Sequence, residues 1–119
     1  MKNMKKEVVL DTSFILTCVK QKIDFFEEIK LMGIQILIPE QVIRELKNLD
    51  INHSKLALKI LGKHKFKKID LKIKNVDNGI KEFAKMHKDT IVATLDRELK
   101  RIIKSPKLII IGGKKLEVV

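Results

Sequence analysis

Tryptophan and tyrosine are missing from the sequence, and phenylalanine occurs only five times in 119 residues. So thin an aromatic supply argues against a base-stacking nucleic-acid module of the RRM or OB type, which lays successive bases on aromatic rings. A single cysteine, Cys18, excludes an internal disulfide and a cysteine-rich zinc site; it is expected as a small buried side chain. The two prolines punctuate turns, and no repeat or low-complexity linker interrupts the chain. No apolar run approaches the ~20 residues that a membrane span needs. Only Val8, Val9 and Leu10 separate the basic stretch Met1–Lys6 from Asp11, so no secretory leader is expected. These absences together predict one soluble, cytoplasmic domain over residues 1–119, with no membrane partner.

Acidic residues are also in short supply, with 15 Asp and Glu against 26 Lys and Arg, a net charge of +11. At 45% hydrophobic and 34% charged, the chain has material for a real core and lacks the low hydrophobicity of disordered segments. The excess is mostly lysine, 23 residues against three arginines (Arg44, Arg97, Arg101). Such a balance points to a polyanionic partner, nucleic acid in the first instance, held through its phosphates. Lysine-heavy surfaces also accompany thermophily, so charge alone leaves both readings open.

Short apolar runs alternate with amphipathic stretches. Strands are expected at Glu7–Leu10, Ile34–Ile38, Lys67–Ile69, Thr90–Leu95 and Leu108–Ile111, with an edge strand at Leu116–Val119 after Gly112–Gly113. Helices are expected from Thr12 to about Lys22, Asp24 to Met32, Pro39 to Leu49, His53 to Lys63, Asp77 to His87 and Asp96 to Lys104. Pro39 suits the first helical position and Gly33 a helix stop. Strands alternating with helices imply an α/β fold, with a mainly parallel central sheet flanked by helices on both faces.

In open parallel sheets, ligands bind outside the carboxyl ends of the strands. Asp11 and Asp96 are the first acidic side chains after two expected strands, each at the start of a helix. Helix capping explains either one alone. Along Pro39–Leu49, the residues Val42, Ile43, Leu46 and Leu49 form an apolar stripe with Glu45 on its border. In the Asp77 helix, Ile80, Phe83 and Ala84 face inward with Asp77 on the same side, and Asp77 too has a capping alternative. Four carboxylates in one place would repel strongly without a cation. Oxygen ligands alone suit Mg²⁺ or Mn²⁺. In a basic protein, such a site suits phosphodiester hydrolysis by water that one or two ions activate.

The four acidic segments resemble those of PIN-domain ribonucleases. Val8-Val9-Leu10-Asp11-Thr12-Ser13-Phe14-Ile15-Leu16 is similar to the family's opening motif, and Ile38-Pro39-Glu40-Gln41-Val42-Ile43-Arg44-Glu45-Leu46 to its second. Asp77-Asn78-Gly79-Ile80 resembles the third motif, and Val92-Ala93-Thr94-Leu95-Asp96-Arg97-Glu98-Leu99-Lys100 the fourth. The resemblance implies a three-layer PIN-like fold and a Mg²⁺- or Mn²⁺-dependent endoribonuclease. Asp11, Glu45, Asp77 and Asp96 would be its catalytic and metal-binding acids, and Ser13 and Thr94 the small polar residues beside them. It also implies RNA as substrate, a homodimer, and either a ribosome-assembly partner in rRNA processing or an antitoxin partner in a toxin–antitoxin pair. A PIN-like module that binds RNA without cutting it is the alternative. Two positions depart from the family pattern: Leu95 stands where Asn is common, and Asn78-Gly79 follow Asp77. Gly79 at a helical position costs about 1 kcal/mol of local helix stability.

Two lysine-rich segments remain. Arg97, Lys100, Arg101 and Lys104 fall on one helical stripe opposite Ile102, next to the expected acidic site, and are the expected RNA contacts. Lys63–Lys74 holds six lysines and one acid, Asp70, and reads as a solvated face or a second phosphate-binding segment. His53, His64 and His87 share no metal-ligand spacing.

Overall fold

A computed structural model describes residues 5–119; Met1–Met4, which open the basic stretch, lie outside the described residues. In chain order the elements are β1 (Glu7–Leu10), α1 (Thr12–Lys20), α2 (Phe25–Leu31), β2 (Gln35–Pro39), α3 (Glu40–Leu49) and α4 (Asn52–Gly62). They continue with β3 (Lys67–Ile69), α5 (Val76–Met86), β4 (Ile91–Ala93), α6 (Arg97–Ile102), β5 (Leu108–Ile111) and β6 (Lys115–Val118). The main sheet runs β3-β2-β1-β4 with every neighbour parallel. Val8 pairs with Ile36 on one side and Ile91 on the other, and Val9 with Leu37 and Val92. Covered on both faces, these strands have no polar side to show, so Val8, Val9, Leu10, Ile38 and Val92 are wholly buried. Helices α1, α3 and α4 pack together, while α2 lies against β2 and β6. The architecture is the α/β arrangement expected, a parallel sheet flanked by helices.

Several boundaries differ for identifiable reasons. Pro39 closes β2 and stands just outside α3, at φ −66° and ψ 142°, instead of opening the helix. Lys22 adopts φ 60°, so α1 stops at Lys20. Ile103 is extended at ψ 141°, which ends α6 at Ile102 and leaves Lys104 off the helix. Leu108–Ile111 does not join the parallel sheet as a full strand. It pairs antiparallel with β6, and it meets the main sheet through the bridge between Val92 and Lys107 and a 2.9 Å bond from the Val92 N–H to the Pro106 carbonyl. Gly112 and Gly113, at φ 60° and 69°, reverse the chain sharply enough for β6 to take that partner place. No helix among the described residues is long and apolar enough to cross a membrane.

Candidate active site

With β2 on one side of β1 and β4 on the other, the chain order reverses at β1, the place where open parallel sheets put a ligand beyond the carboxyl ends of their strands. Asp11 follows β1 directly, and Asp96 follows β4 at the start of α6. The Asp11 N–H donates to the Ala93 carbonyl at 2.9 Å, extending the β1–β4 ladder one residue past the strands. Its side chain is buried and caps α1, with Oδ1 accepting from the Thr12 N–H at 2.8 Å. Oδ2 accepts from the Thr94 hydroxyl at 2.6 Å and from the Ser13 hydroxyl at 3.2 Å. Burial pushes the Asp11 carboxyl above its ordinary pKa; the bonds from Thr94, Thr12 and Ser13 pull it back, and the charge of Glu45 pushes it further up.

Ser13 and Thr94 do more than touch Asp11. Ser13 Oγ accepts from the Leu95 N–H at 3.1 Å, and Thr94 Oγ1 accepts from the Asp96 N–H at 3.1 Å. The two hydroxyls thereby pin the start of α1 to the loop after β4, across 81 residues of sequence. Asp96 caps α6 through Oδ1, which takes the Leu99 N–H at 3.1 Å. Capping occupies one carboxylate oxygen, so a cap and a ligand are compatible roles for this residue.

Asp77 does not cap α5. Asn75 does, its Oδ1 accepting from the Asn78 N–H at 2.9 Å, and Asp77 lies one turn position inside the helix. Although exposed, the Asp77 carboxyl has a raised pKa, from partial desolvation first and then from the charges of Asp11 and Asp96. Glu45 is exposed on α3, and its charge reaches Asp11. Asp11 thus feels the charge of Glu45, and Asp77 the charges of Asp11 and Asp96.

Their chemistry suits a hard divalent cation: all donors are oxygen, and a cation would offset both the burial that chiefly raises Asp11 and Asp77 and the smaller push from neighbouring carboxylates. As the side chains stand, no three carboxylate, imidazole or thiol groups among the described residues close around one point. Glu45 and Asp77, the two exposed members, have the freedom to swing inward.

A supporting contact gives no signal in the sequence. Gln41, buried on α3, donates from Nε2 to Asp70 Oδ1 at 2.8 Å and accepts from the Leu71 N–H at 3.2 Å. The Lys72 N–H also donates to Asp70 Oδ1, at 2.8 Å. With these donors the Asp70 carboxyl is held below its ordinary pKa. Gln41 thereby fastens the segment between β3 and α5 to the helix that bears Glu45. Leu71, buried beside it, packs against Gly79, where an added Cβ would lie 2.9 Å from Leu71 Cδ1. Gly79 is therefore a close-approach residue that seats the Asp77 helix tightly, which offsets its cost in helix propensity.

The expected basic stripe is only partly formed. Arg97 is exposed and Lys100 half-buried, but Arg101 is paired with Glu98 at 2.7 Å and Lys104 lies beyond the helix end. Ile102, expected on the opposite face of α6, is 38% exposed, and Leu99 and Ile103 are the buried side chains there. His64 stacks on Phe26 at 4.3 Å, and His87 on Phe83 at 4.3 Å. Cys18 is buried, with its thiol pushed up to about 12 by burial and then by the charge of Glu28.

Residues 8–114 match the family model described as a PIN like domain. The chain is 36% identical over 111 residues to the rRNA-processing protein fcf1 of Schizosaccharomyces pombe, a match over 88% of this chain and 57% of that protein. It is 38% identical over 104 residues to ribonuclease VapC4 of Methanocaldococcus jannaschii, covering 79% of each. Among solved structures, that of the PIN domain endonuclease Utp24 superimposes with a TM-score of 0.81 at 31% identity, over 94% of this chain and 90% of that one. A domain of a functionally unknown protein from Methanocaldococcus jannaschii shares the fold with a TM-score of 0.57 at 21% identity, over 96% of this chain and 98% of that one.

Proposed function

The chain belongs to the PIN-like domain family, and we propose on that premise that it is a cytoplasmic, divalent-metal-dependent endoribonuclease acting on single-stranded RNA. The observation that carries this reading is the junction beyond β1 and β4, where the Ser13 and Thr94 hydroxyls tie the buried Asp11 carboxylate to the backbone of Leu95 and Asp96. The relatives support the same chemistry, since one is named a ribonuclease and another a PIN domain endonuclease. The fission yeast relative's name favours a ribosomal RNA precursor as substrate, although this chain spans little more than half of that protein.

Asp11, Asp96 and Glu45 would hold one Mg²⁺ or Mn²⁺, with Asp77 helping to hold a second. Such ions supply an activated water and stabilise the developing charge on the phosphate and leaving oxygens. Asp11 is the fixed member: three hydrogen bonds orient its carboxylate before any ligand arrives. Thr94 and Ser13 act as positioning residues, since they hold Asp11 and the Asp96 loop in register. Arg97 and Lys100, at the start of α6, would meet phosphates next to the cut.

Purified protein should cleave an unstructured RNA in Mg²⁺ or Mn²⁺ and stop in EDTA. Asp11→Asn should abolish cleavage and leave RNA binding in place. Cleavage of equal rate in EDTA would overturn the metal-dependent mechanism.

A further inference from the structure

At the opposite end of the sheet lies an open cavity of about 710 Å³. Gln35 and Ile36 at the start of β2 and Lys67 at the start of β3 form its floor. Five lysines line it (Lys5, Lys30, Lys63, Lys65 and Lys67) against one carboxylate, Glu27. Three of the chain's few flat rings are here too. Phe26 and His64 stack almost in parallel, 4.3 Å apart at 6°, and Phe66 stands 6.3 Å from Phe26.

The charge does not stop at the cavity. Successive side chains of β3 face opposite ways. Lys67 points into the cavity and Lys68 into a smaller cleft of about 140 Å³, which it shares with Arg44 and Lys47 of α3 and one acid, Glu40. Arg44 is the chain neighbour of Glu45. Two cationic clefts therefore flank the exposed edge strand β3, and the smaller one borders α3, the helix that bears an acid of the candidate active site. The five residues of β2 span about 16 Å at ~3.3 Å each, which sets the scale from one end of the sheet to the other.

We propose that this cavity and the β3 edge form a second RNA-binding surface, which holds a single-stranded segment remote from the cut. Its phosphates lie on Lys63, Lys65, Lys67, Lys68 and Arg44, and a base packs against His64 and Phe66. The pairing of cations with aromatic rings distinguishes this surface from α6, which has cations alone, and is the combination that single-stranded nucleic acid uses. It also gives Lys63–Lys74 a task beyond solvation. The proposal rests on the reading of the substrate as RNA.

The test is fluorescence anisotropy of a labelled unstructured RNA of about a dozen nucleotides in EDTA, across a range of salt. Wild type is compared with the triple variant Lys63→Gln, Lys65→Gln and Lys67→Gln, and with His64→Ala. All four side chains are exposed, and melting curves check that the fold is intact. The triple variant should lose roughly 0.7 in log–log salt slope, and about fivefold in affinity near 0.1 M salt, for each phosphate contact removed. His64→Ala should also weaken binding, because it removes the ring against which a base packs. RNA bound by wild type with the triple variant indistinguishable would overturn this surface and leave the nuclease reading standing. No RNA bound by wild type at all would overturn both. Capture of poly-glutamate in place of RNA, lost in the triple variant, would assign the surface to an acidic protein and overturn the proposal.

Discussion

An α-carbon substituent on Gly79 would fall 2.9 Å from Cδ1 and 3.0 Å from Cβ of Leu71, with the Ile73 carbonyl at 3.4 Å. Leu71 is in turn held through its N–H by the side chain of Gln41. The acid-bearing helices α3 and α5 are thus joined through a glutamine, a loop and a missing methyl group.

Gly79→Ala sets helix propensity against packing. Alanine would gain about 1 kcal/mol in a helix interior, whereas overpacking a filled site costs about 1–3 kcal/mol. Leu71 Cδ1 can rotate away, but its Cβ and the Ile73 carbonyl cannot. The variant should therefore be less stable than wild type by about 1 kcal/mol in urea denaturation, and should cleave RNA more slowly because Asp77 is displaced. A more stable variant with unchanged cleavage would show that the contact yields freely.

Thr94→Val keeps the shape of the side chain and removes the hydroxyl that donates to Asp11 at 2.6 Å. A hydrogen bond to a charged group contributes about 1.5–3 kcal/mol, and here part of the loss is avoided because the buried Asp11 carboxyl can take up a proton. The expected result is a weaker stabilisation by Mn²⁺, read as a smaller rise in melting temperature. Thr94→Ser should restore it. Equal Mn²⁺ responses in Val, Ser and wild type would remove Thr94 from the positioning role.

The positions of the strands, the burial of β1 and the pattern of helices are legible because they rest on local periodicity and on turn residues such as Gly33, whereas the order β3-β2-β1-β4 rests on non-local pairing. The candidate acids were legible because Asp11 and Asp96 each end an apolar strand. Gln41 was not: a glutamine on a helix gives no hint that it is buried, since its partners at Asp70 and Leu71 lie 29 and 30 residues away. The Ser13–Thr94 contact was visible as two small polar residues but not as a link between the start of α1 and the loop after β4. Leu108–Ile111 reads as a strand, yet its placement depends on whether β4 or β6 pairs with it, a competition between non-local contacts. Asn75 and Asp77 have equal capping propensity, so the sequence alone does not tell which of them caps α5.

The metal-free protein should carry a pH signature of the raised acids. Asp11 and Asp77 have folded pKa values above the ordinary 3.8. A carboxyl of that kind favours folding fully below its unfolded pKa, and that contribution is lost as pH rises through the folded value. In EDTA, Asp77→Asn should remove part of this loss, so its stability relative to wild type should grow as pH rises above about 4. Asp70 titrates in the other direction and below this window, so it does not imitate the effect. Urea midpoints at several pH values give the comparison. A difference that stays flat across the range would mean that Asp77 does not feel its neighbours.

Asp96→Asn separates the two roles that Asp96 can hold. Its Oδ1 accepts the Leu99 N–H at 3.1 Å, and an asparagine carbonyl can take the same bond. Capping alone therefore predicts almost no change in stability. The charge predicts more, because Asp96 is among the groups that raise Asp77. Two like charges about 5 Å apart repel by roughly 3 kcal/mol at an effective dielectric of 20, before relaxation and solvent reduce it. In EDTA at neutral pH, Asp96→Asn should thus be more stable than wild type, by about 1 kcal/mol. Mn²⁺ should reverse the order, since an ion that binds only the folded site stabilises the protein with more ligands the most. Denaturation of both proteins, with and without Mn²⁺, supplies the four values. If Asp96→Asn is neutral in EDTA and both proteins respond to Mn²⁺ alike, Asp96 is a cap only, and the metal-dependent reading loses its second fixed acid.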